Sequence, residues 1–335
     1  MANKEKVLVV STTPFFGGGE AFIVNTLSRI NRDIYYLVRC KELYNHLPSS
    51  KMKFLSSDSL VGQIKEVNNY AKEIKADCVL LNGGSSIYFT PFINCGLKII
   101  YRHTTNYSVS NIFKRCLYVF LLHICYAFAN RIVHVSSFSL NEQKLFLRKA
   151  CCIHHGVKMN IPYHKKPGEG PIRFLFVGRT EAAKGIHLIV NAFKKLPEGM
   201  AVLDIVGRGE LDDFLLKNVS SSITYHGFRT DVDKYYKNSD VFISLPVHEA
   251  FGLTFIEAMR HSLPIIACDT GGISEIVQNE VNGLLISRDL ESIYKAMLQM
   301  CTNRHLITIL GEKGYQIGCT KFDIDKVVSS IEEIL

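Results

Sequence analysis

The sequence predicts an α/β protein of two doubly wound domains facing across a cleft. Short runs apolar on both faces alternate with helical patterns, as in parallel sheets covered on both sides. The alternation occurs twice, over residues 7–135 and again over residues 172–286. The length of 335 residues is about twice a ~150-residue domain.

In the first half, strands are predicted at 7–11, 34–38, 78–81, 97–101 and 132–135. In the second they fall at 172–177, 202–206, 241–244, 264–267 and 284–286. Residues 155–171, rich in Gly, Pro, Lys and His and without periodicity, read as a linker. The predicted domains are therefore 1–160 and 171–320. The tail, 322–335, carries apolar residues at 324, 327, 328, 331 and 335, a helical stripe expected to cross back to the first domain.

Composition excludes several classes. With 47% hydrophobic, 10% aromatic and 21% charged residues, the chain is not disordered. No stretch reaches the ~18 apolar residues needed to cross a bilayer. The longest apolar run, 116–129, is interrupted by His123 and reads first as a buried core helix, with lipid contact as the alternative. The N-terminus lacks the pattern of a secretory signal, so a cytoplasmic location is expected. None of the ten cysteines forms a Cys-x-x-Cys pair. Cys78, Cys116, Cys125 and Cys268 lie in apolar patterns, and reduced structural thiols are expected.

The net charge of +8 is unevenly spread. Residues 1–166 hold 22 Lys and Arg against 9 Asp and Glu, a surplus of +13. Residues 167–335 hold 17 against 22, a balance of −5. A basic half suggests an anionic partner, whether membrane phospholipid, a phosphorylated lipid or nucleic acid, although a solvated basic face has the same composition. Nucleic acid does not fit, because the basic half has no interleaved aromatics or reader motif.

Glycines and charges at strand ends mark the candidate chemistry. Gly17-Gly18-Gly19-Glu20 joins the first strand to a helix, where backbone N–H groups can meet an anion, although a tight turn has the same composition. In the second half, Gly178-Arg179 and Lys184-Gly185 follow the opening strand, a cation pair suited to a diphosphate, although two solvated surface cations would show the same pattern. Pro246-Val-His-Glu249-Ala-Phe251-Gly252-Leu253-Thr254-Phe-Ile-Glu257 places two glutamates eight apart, with a helix start near Leu253 between them. Eight residues of helix would span ~12 Å, about the separation of sugar and ribose in a nucleotide sugar. Asp269-Thr-Gly271-Gly272 and Asn282-Gly283 read as turns. Asp231-x-Asp233 and Asp323-x-Asp325 have metal-site spacing, but each stands at a helix start, with Thr230-Asp231 suited to an N-cap. No metal is expected.

Taken together, Gly178-Arg179, Lys184-Gly185, Glu249-Ala-Phe-Gly252, Glu257-Ala-Met259, Pro264, Gly271-Gly272, Glu275 and Asn282-Gly283 resemble the family 4 retaining glycosyltransferases of the GT-B fold. The resemblance spans most of 172–290 and extends to bacterial surface-polysaccharide glycosyltransferases. In the first half it rests on Gly17–Gly19, Glu20, His103 and Val133-His-Val-Ser136. It implies a nucleoside-diphosphate-sugar donor (UDP favoured over GDP), retained configuration by front-face substitution, and no metal or cofactor. It implies a lipid-linked or glycolipid acceptor in lipopolysaccharide, O-antigen or capsule synthesis, with peripheral contact at the inner membrane face.

Carried over by position, the resemblance implies that Arg179 and Lys184 hold the diphosphate and stabilise the leaving group, with Gly178 among the donor-binding residues. Glu249 would meet the donor sugar and Glu257 the ribose. The backbone N–H groups of Leu253 and Thr254 would complete the phosphate cradle with Gly18 and Gly19, Phe251 and Gly252 would also bind the donor, and His103 would lie near the transferred sugar. The catalytic set is then His103, Arg179, Lys184 and Glu249. Ala250, Ser262, Lys158 and Thr104 depart from the family's usual Gly, Gly, Asp and Asp. Two other readings remain: a soluble transferase for a free sugar or small metabolite, and a non-catalytic nucleotide- or glycan-binding protein.

Overall fold

The computed structural model describes residues 4–104, 111–159 and 168–335. The chain divides into two units, Met1–Gly156 with Ile324–Leu335, and Val157–Asp323.

The first unit is built on β1 (Lys6–Ser11), β2 (Asp33–Val38), β3 (Met52–Phe54), β4 (Cys78–Asn82), β5 (Leu97–Arg102), β6 (Arg131–His134) and β7 (Ala150–Cys152). Their order is β3-β2-β1-β4-β5-β6-β7, and every pairing is parallel. Val7 to Val10 and Val79 to Leu81 are fully buried, which is why these strands read as unbroken apolar runs. Helices α1 (Gly18–Asn25), α2 (Leu60–Ile74), α3 (Ile112–Phe128) and α4 (Ser137–Asn141) connect them. Ser59 starts α2 by accepting the Gly62 N–H at 3.1 Å, and Lys75 ends it in the left-handed region at φ 55°.

The second unit carries β8 (Ile172–Val177), β9 (Ala201–Val206), β10 (Ile223–Tyr225), β11 (Val241–Ile243), β12 (Ile265–Cys268) and β13 (Gly283–Ile286), in the order β10-β9-β8-β11-β12-β13. Its helices are α5 (Ile186–Phe193), α6 (Asp212–Leu216), α7 (Asp233–Asn238), α8 (Leu253–Arg260), α9 (Ile273–Ile276), α10 (Leu290–Thr302) and α11 (Arg304–Lys321). Phe174, Phe176, Ile189, Val190, Ile293 and Met297 share one core with the sheet. The last helix, α12 (Ile324–Glu332), belongs to the first unit, where Glu332 accepts the Asn31 N–H at 2.6 Å.

All ten predicted strands are present with ends within one residue. Three others, β3, β7 and β10, escape prediction because they are three-residue strands at sheet edges. An edge strand is covered on fewer sides, so Lys53 and Phe54 of β3 and Thr224 of β10 stay exposed, and Ala150-Cys151-Cys152 of β7 is only partly buried. The predicted linker begins too early: His155 is buried and Val157 pairs with Asp323, while residues 160–167 lie outside the described residues.

The larger correction concerns α3, expected to be a buried core helix. Only Leu122, Cys125 and Tyr126 are buried, against Ile87, Phe89 and Ile93. One stripe suffices to seat a helix on its neighbours, and here the opposite stripe is apolar too. Cys116, expected inside, is exposed.

Candidate active site

In an open parallel sheet, ligands bind beyond the carboxyl ends of the strands where the strand order reverses. In the second unit that point lies between β8 and β11. The loop after β8 carries Gly178, Arg179 and Lys184, and the loop after β11 carries Glu249. The Lys184 ammonium donates to the Glu249 carboxylate at 2.5 Å, with the two side chains 21% and 20% exposed.

Backbone hydrogen bonds sew the loops together. The Leu245 N–H donates to Lys184 O at 3.2 Å and the Val247 N–H to Ala183 O at 2.8 Å. Arg288, which sequence reasoning missed, donates to Leu245 O at 2.9 Å and Ala182 O at 2.7 Å. Gly185 sits at φ 77°, where a Cβ would come within 2.7 Å of Leu245 O. Lys184 is thus held by main chain on both sides.

Glu249 is held from its other side. The Gly272 N–H donates to Glu249 O at 2.9 Å. Gly271, at φ 60°, approaches so closely that a Cβ would lie 1.8 Å from that oxygen. The Gly271-Gly272 pair, read from sequence as a turn, is the seat of the Glu249 backbone. Gly207 plays the same part under Gly178, where a Cβ would lie 1.7 Å from Gly178 O.

Arg179 differs from Lys184. It is 65% exposed and paired with Glu181 at 2.5 Å. Such a solvated pair is worth only ~0–1 kcal/mol, so Arg179 can turn to another anion at little cost.

Helix α8 starts at Leu253 after Gly252 at φ 103°. This geometry corrects the expected ~12 Å of helix between the two glutamates. Left-handed Gly252 caps the helix start, so Glu249 lies in the loop and, of the span from Glu249 to Glu257, only Leu253 to Glu257 is helical. The Phe255 N–H returns to Gly252 O at 3.2 Å. The N–H groups of Leu253 and Thr254 are first-turn donors, which find no acceptor within their own helix. Phe251 is only 2% exposed and stands edge-on to Phe322, so its side chain supports the loop from within. Glu257 accepts from the buried Tyr236 hydroxyl at 2.9 Å. Burial raises its carboxyl above the usual range, with the Tyr236 hydrogen bond opposing the shift.

In the first unit, the strand order reverses between β1 and β4. The Gly17–Gly19 loop follows β1, and Glu20 folds back beneath it. Ser11 donates to Glu20 at 2.8 Å and the Gly17 N–H at 3.2 Å. Burial nevertheless raises the Glu20 carboxyl. A Cβ on Gly18 would meet open space, whereas one on Gly19 would lie 3.4 Å from the His103 ring.

Asn82, at the end of β4, donates from Nδ2 to Gly19 O at 3.0 Å. Its Oδ1 must therefore accept, and His103 Nε2, 2.8 Å away, carries the proton. His103 Nδ1 then accepts from His155 Nε2 at 3.0 Å. Burial holds His103 neutral, lowering it to about 3. Both ring nitrogens of His103 are thus committed inside the unit. His103 supports the glycine loop through Asn82. The sequence pointed to His103 but not to Asn82 or His155, although a polar residue closing the apolar run 78–81 was the visible signal.

The Asp-x-Asp pairs are tied into the protein. Asp231 pairs with Lys234, and Asp233 pairs with Lys237 at 2.5 Å and accepts from His261 at 2.9 Å. The residue before α7 is Val232, which offers no side-chain cap, so the expected Thr230-Asp231 N-cap is corrected by two residues. Asp323 accepts the Met159 N–H at 3.3 Å just ahead of α12.

Residues 171–303 match the family model described as glycosyl transferases group 1. The O-antigen chain mannosyltransferase C of Escherichia coli is 30% identical over 50% of this chain and 47% of its own length. The UDP-Gal:alpha-D-GlcNAc-diphosphoundecaprenol alpha-1,3-galactosyltransferase of the same species is 28% identical over 48% and 44%. The first three curated relatives are matched over 59%, 31% and 47% of their lengths. Among solved structures, Anabaena Alr3699/HepE in complex with UDP aligns at a TM-score of 0.83 and 16% identity, covering 98% of this chain and 99% of that one. At that identity the likeness speaks for the fold alone, which is GT-B as the resemblance implied.

Proposed function

We propose, since residues 171–303 are a glycosyl transferases group 1 domain, that this chain is a retaining glycosyltransferase. It moves a sugar from a nucleoside-diphosphate sugar, a UDP-sugar in preference to a GDP-sugar, to a lipid-linked or glycolipid acceptor in surface-polysaccharide synthesis. The observation that carries this reading is the Lys184–Glu249 pair at the β8/β11 reversal, locked by main chain beside the start of α8. UDP is favoured by the UDP-Gal named for the Escherichia coli relative. The lipid-linked acceptor rests on that relative's diphosphoundecaprenol substrate.

In this reading the main charge to be stabilised is the departing diphosphate. Lys184 supplies a fixed cation, Arg179 swings from Glu181 to add a forked donor, and the Leu253 and Thr254 N–H groups close the cradle. Glu249 accepts from donor-sugar hydroxyls while Lys184 holds its carboxylate in place. Glu257, anchored through Tyr236, takes the ribose hydroxyls. His103 positions the glycine loop. These cations perform the neutralisation that a metal ion performs elsewhere, so the reaction is expected to run in EDTA.

The test is transfer of labelled sugar from a panel of UDP- and GDP-sugars, in EDTA, to extracted bacterial lipid acceptors. The expected result is label in the organic phase from a UDP-sugar, with the anomeric configuration retained. Label confined to water-soluble product, dependence on added divalent cation, or an inverted anomer would each contradict the corresponding part of the proposal.

A further inference from the structure

We infer that Arg288 is a positioning residue for the diphosphate site, bridging the loops that carry Lys184 and Glu249 so that these two side chains meet. The inference rests on the donor site proposed above and adds to it a residue that touches neither donor nor acceptor.

Two loops must be held in register for Lys184 and Glu249 to share one hydrogen bond. Their direct main-chain bonds run one way, from the N–H groups of Leu245 and Val247 to the carbonyls of Lys184 and Ala183. The Leu245 carbonyl points back at the first loop, where a Cβ on Gly185 would lie only 2.7 Å from its oxygen. The Ala182 carbonyl, which closes a turn to the Gly185 N–H at 3.1 Å, converges on the same guanidinium. Two carbonyl dipoles that converge repel each other, and a cation between them turns the repulsion into a bridge.

Arg288 is that cation. Its Nε donates to Leu245 O at 2.9 Å and its Nη2 to Ala182 O at 2.7 Å, so one guanidinium edge takes a carbonyl from each loop. The two nitrogens stand at a fixed spacing on a planar, always charged group, which sets the separation of the two carbonyls. The charge strengthens both bonds. Glu210 holds the same residue from its other side, accepting the Ala182 N–H at 2.8 Å. Lys184 follows two residues later.

The bridge stands on regular structure. Arg288 lies between β13, which pairs with β12 along its length, and α10, where Asp289 accepts the Ser292 N–H at 2.9 Å as N-cap. The loops after β8 and β11 are thereby tied to a third element, the kind of support that keeps a preorganised site in its working geometry. That edge of the guanidinium is engaged by protein, so Arg288 acts through Lys184 and Glu249 and not on the anion itself.

The test uses the full chain with Arg288→Lys, which keeps the charge but donates from a single point, and with Arg288→Gln, which is neutral. The pair leaves a readable variant if one fails to fold, and thermal unfolding shows which are folded. Amine labelling with acetic anhydride, read by peptide mass spectrometry, reports on the Lys184–Glu249 pair without any substrate. Lys184, 21% exposed in the wild type, should label several-fold faster in the variants, while Lys295, 71% exposed on α10, should not change. In the transfer assay above, kcat/KM for the donor should fall by up to ~10²-fold, with the donor KM raised and the acceptor KM unchanged. A smaller folded fraction would lower kcat alone. In a Lys184→Ala background Arg288→Lys should lose little further, because the pair it positions is already broken. Unchanged Lys184 labelling in the folded variants would overturn the inference. So would an equal loss of transfer with and without Lys184, or a lower kcat at unchanged donor KM. Faster labelling in variants of a chain that transfers no sugar would uphold the bridge and contradict the proposed function.

Discussion

Lys184→Ala is expected to lower sugar transfer by at least ~10²-fold, the usual range for removing one preorganised group from a developing anion. Its fold should survive, because the side chain is not part of the core and its main-chain hydrogen bonds to Leu245 and through Ala183 to Val247 remain. Glu249→Ala should fall comparably. Lys184 and Glu249 hold each other at 2.5 Å, so the double variant should fall little further than either single one. Steady-state transfer rates for the three variants check this, with far-UV circular dichroism confirming the fold. Additive losses would mean that the two side chains act independently, and near-normal rates would remove them from the reaction.

Gly271→Ala is the second large effect, and it acts through the backbone. The new Cβ would lie 1.8 Å from Glu249 O with the residue held at φ 60°. Left-handed strain and steric overlap each cost ~1–3 kcal/mol, so roughly 3 kcal/mol of stability should be lost. In a domain of this size that lowers Tm by roughly 6–12 °C. Relief of the overlap must move the Glu249 loop, and a shift of ~1 Å at a reacting group costs about 10²-fold in rate. Gly199→Ala is the control. It has a similar φ of 75° but no neighbour within 4 Å, so it should show the strain alone and leave transfer intact. Thermal unfolding and transfer rates on the two variants decide the matter. Equal behaviour would mean that Gly271 is an ordinary turn.

What the sequence made legible follows from what periodicity can record. Strands buried on both faces appear as unbroken apolar runs, so β1, β4, β8 and β12 stand out, whereas the three-residue edge strands leave no such mark. Lys184 and Glu249 were visible because they are charges in the loops that follow buried strands. Their supports were not. Gly271 has the composition of any turn, and only the three-dimensional approach to Glu249 gives it a purpose. The Asn82–His103–His155 relay joins residues 21 and 52 positions apart, a separation no local pattern reports. Helix α3 shows the converse failure. Hydropathy records that both of its faces are apolar but cannot tell which one the fold covers.

Nucleotide-dependent thermal unfolding in EDTA, on wild type and Lys184→Ala, bears most directly on the claim that this pair marks a diphosphate site. UDP at 100 times its dissociation constant should stabilise wild type by ~2.7 kcal/mol, a rise of several degrees. Lys184→Ala should show little or no rise at the same concentration. An equal rise in both proteins, or no rise in wild type with either UDP or GDP, would contradict the account.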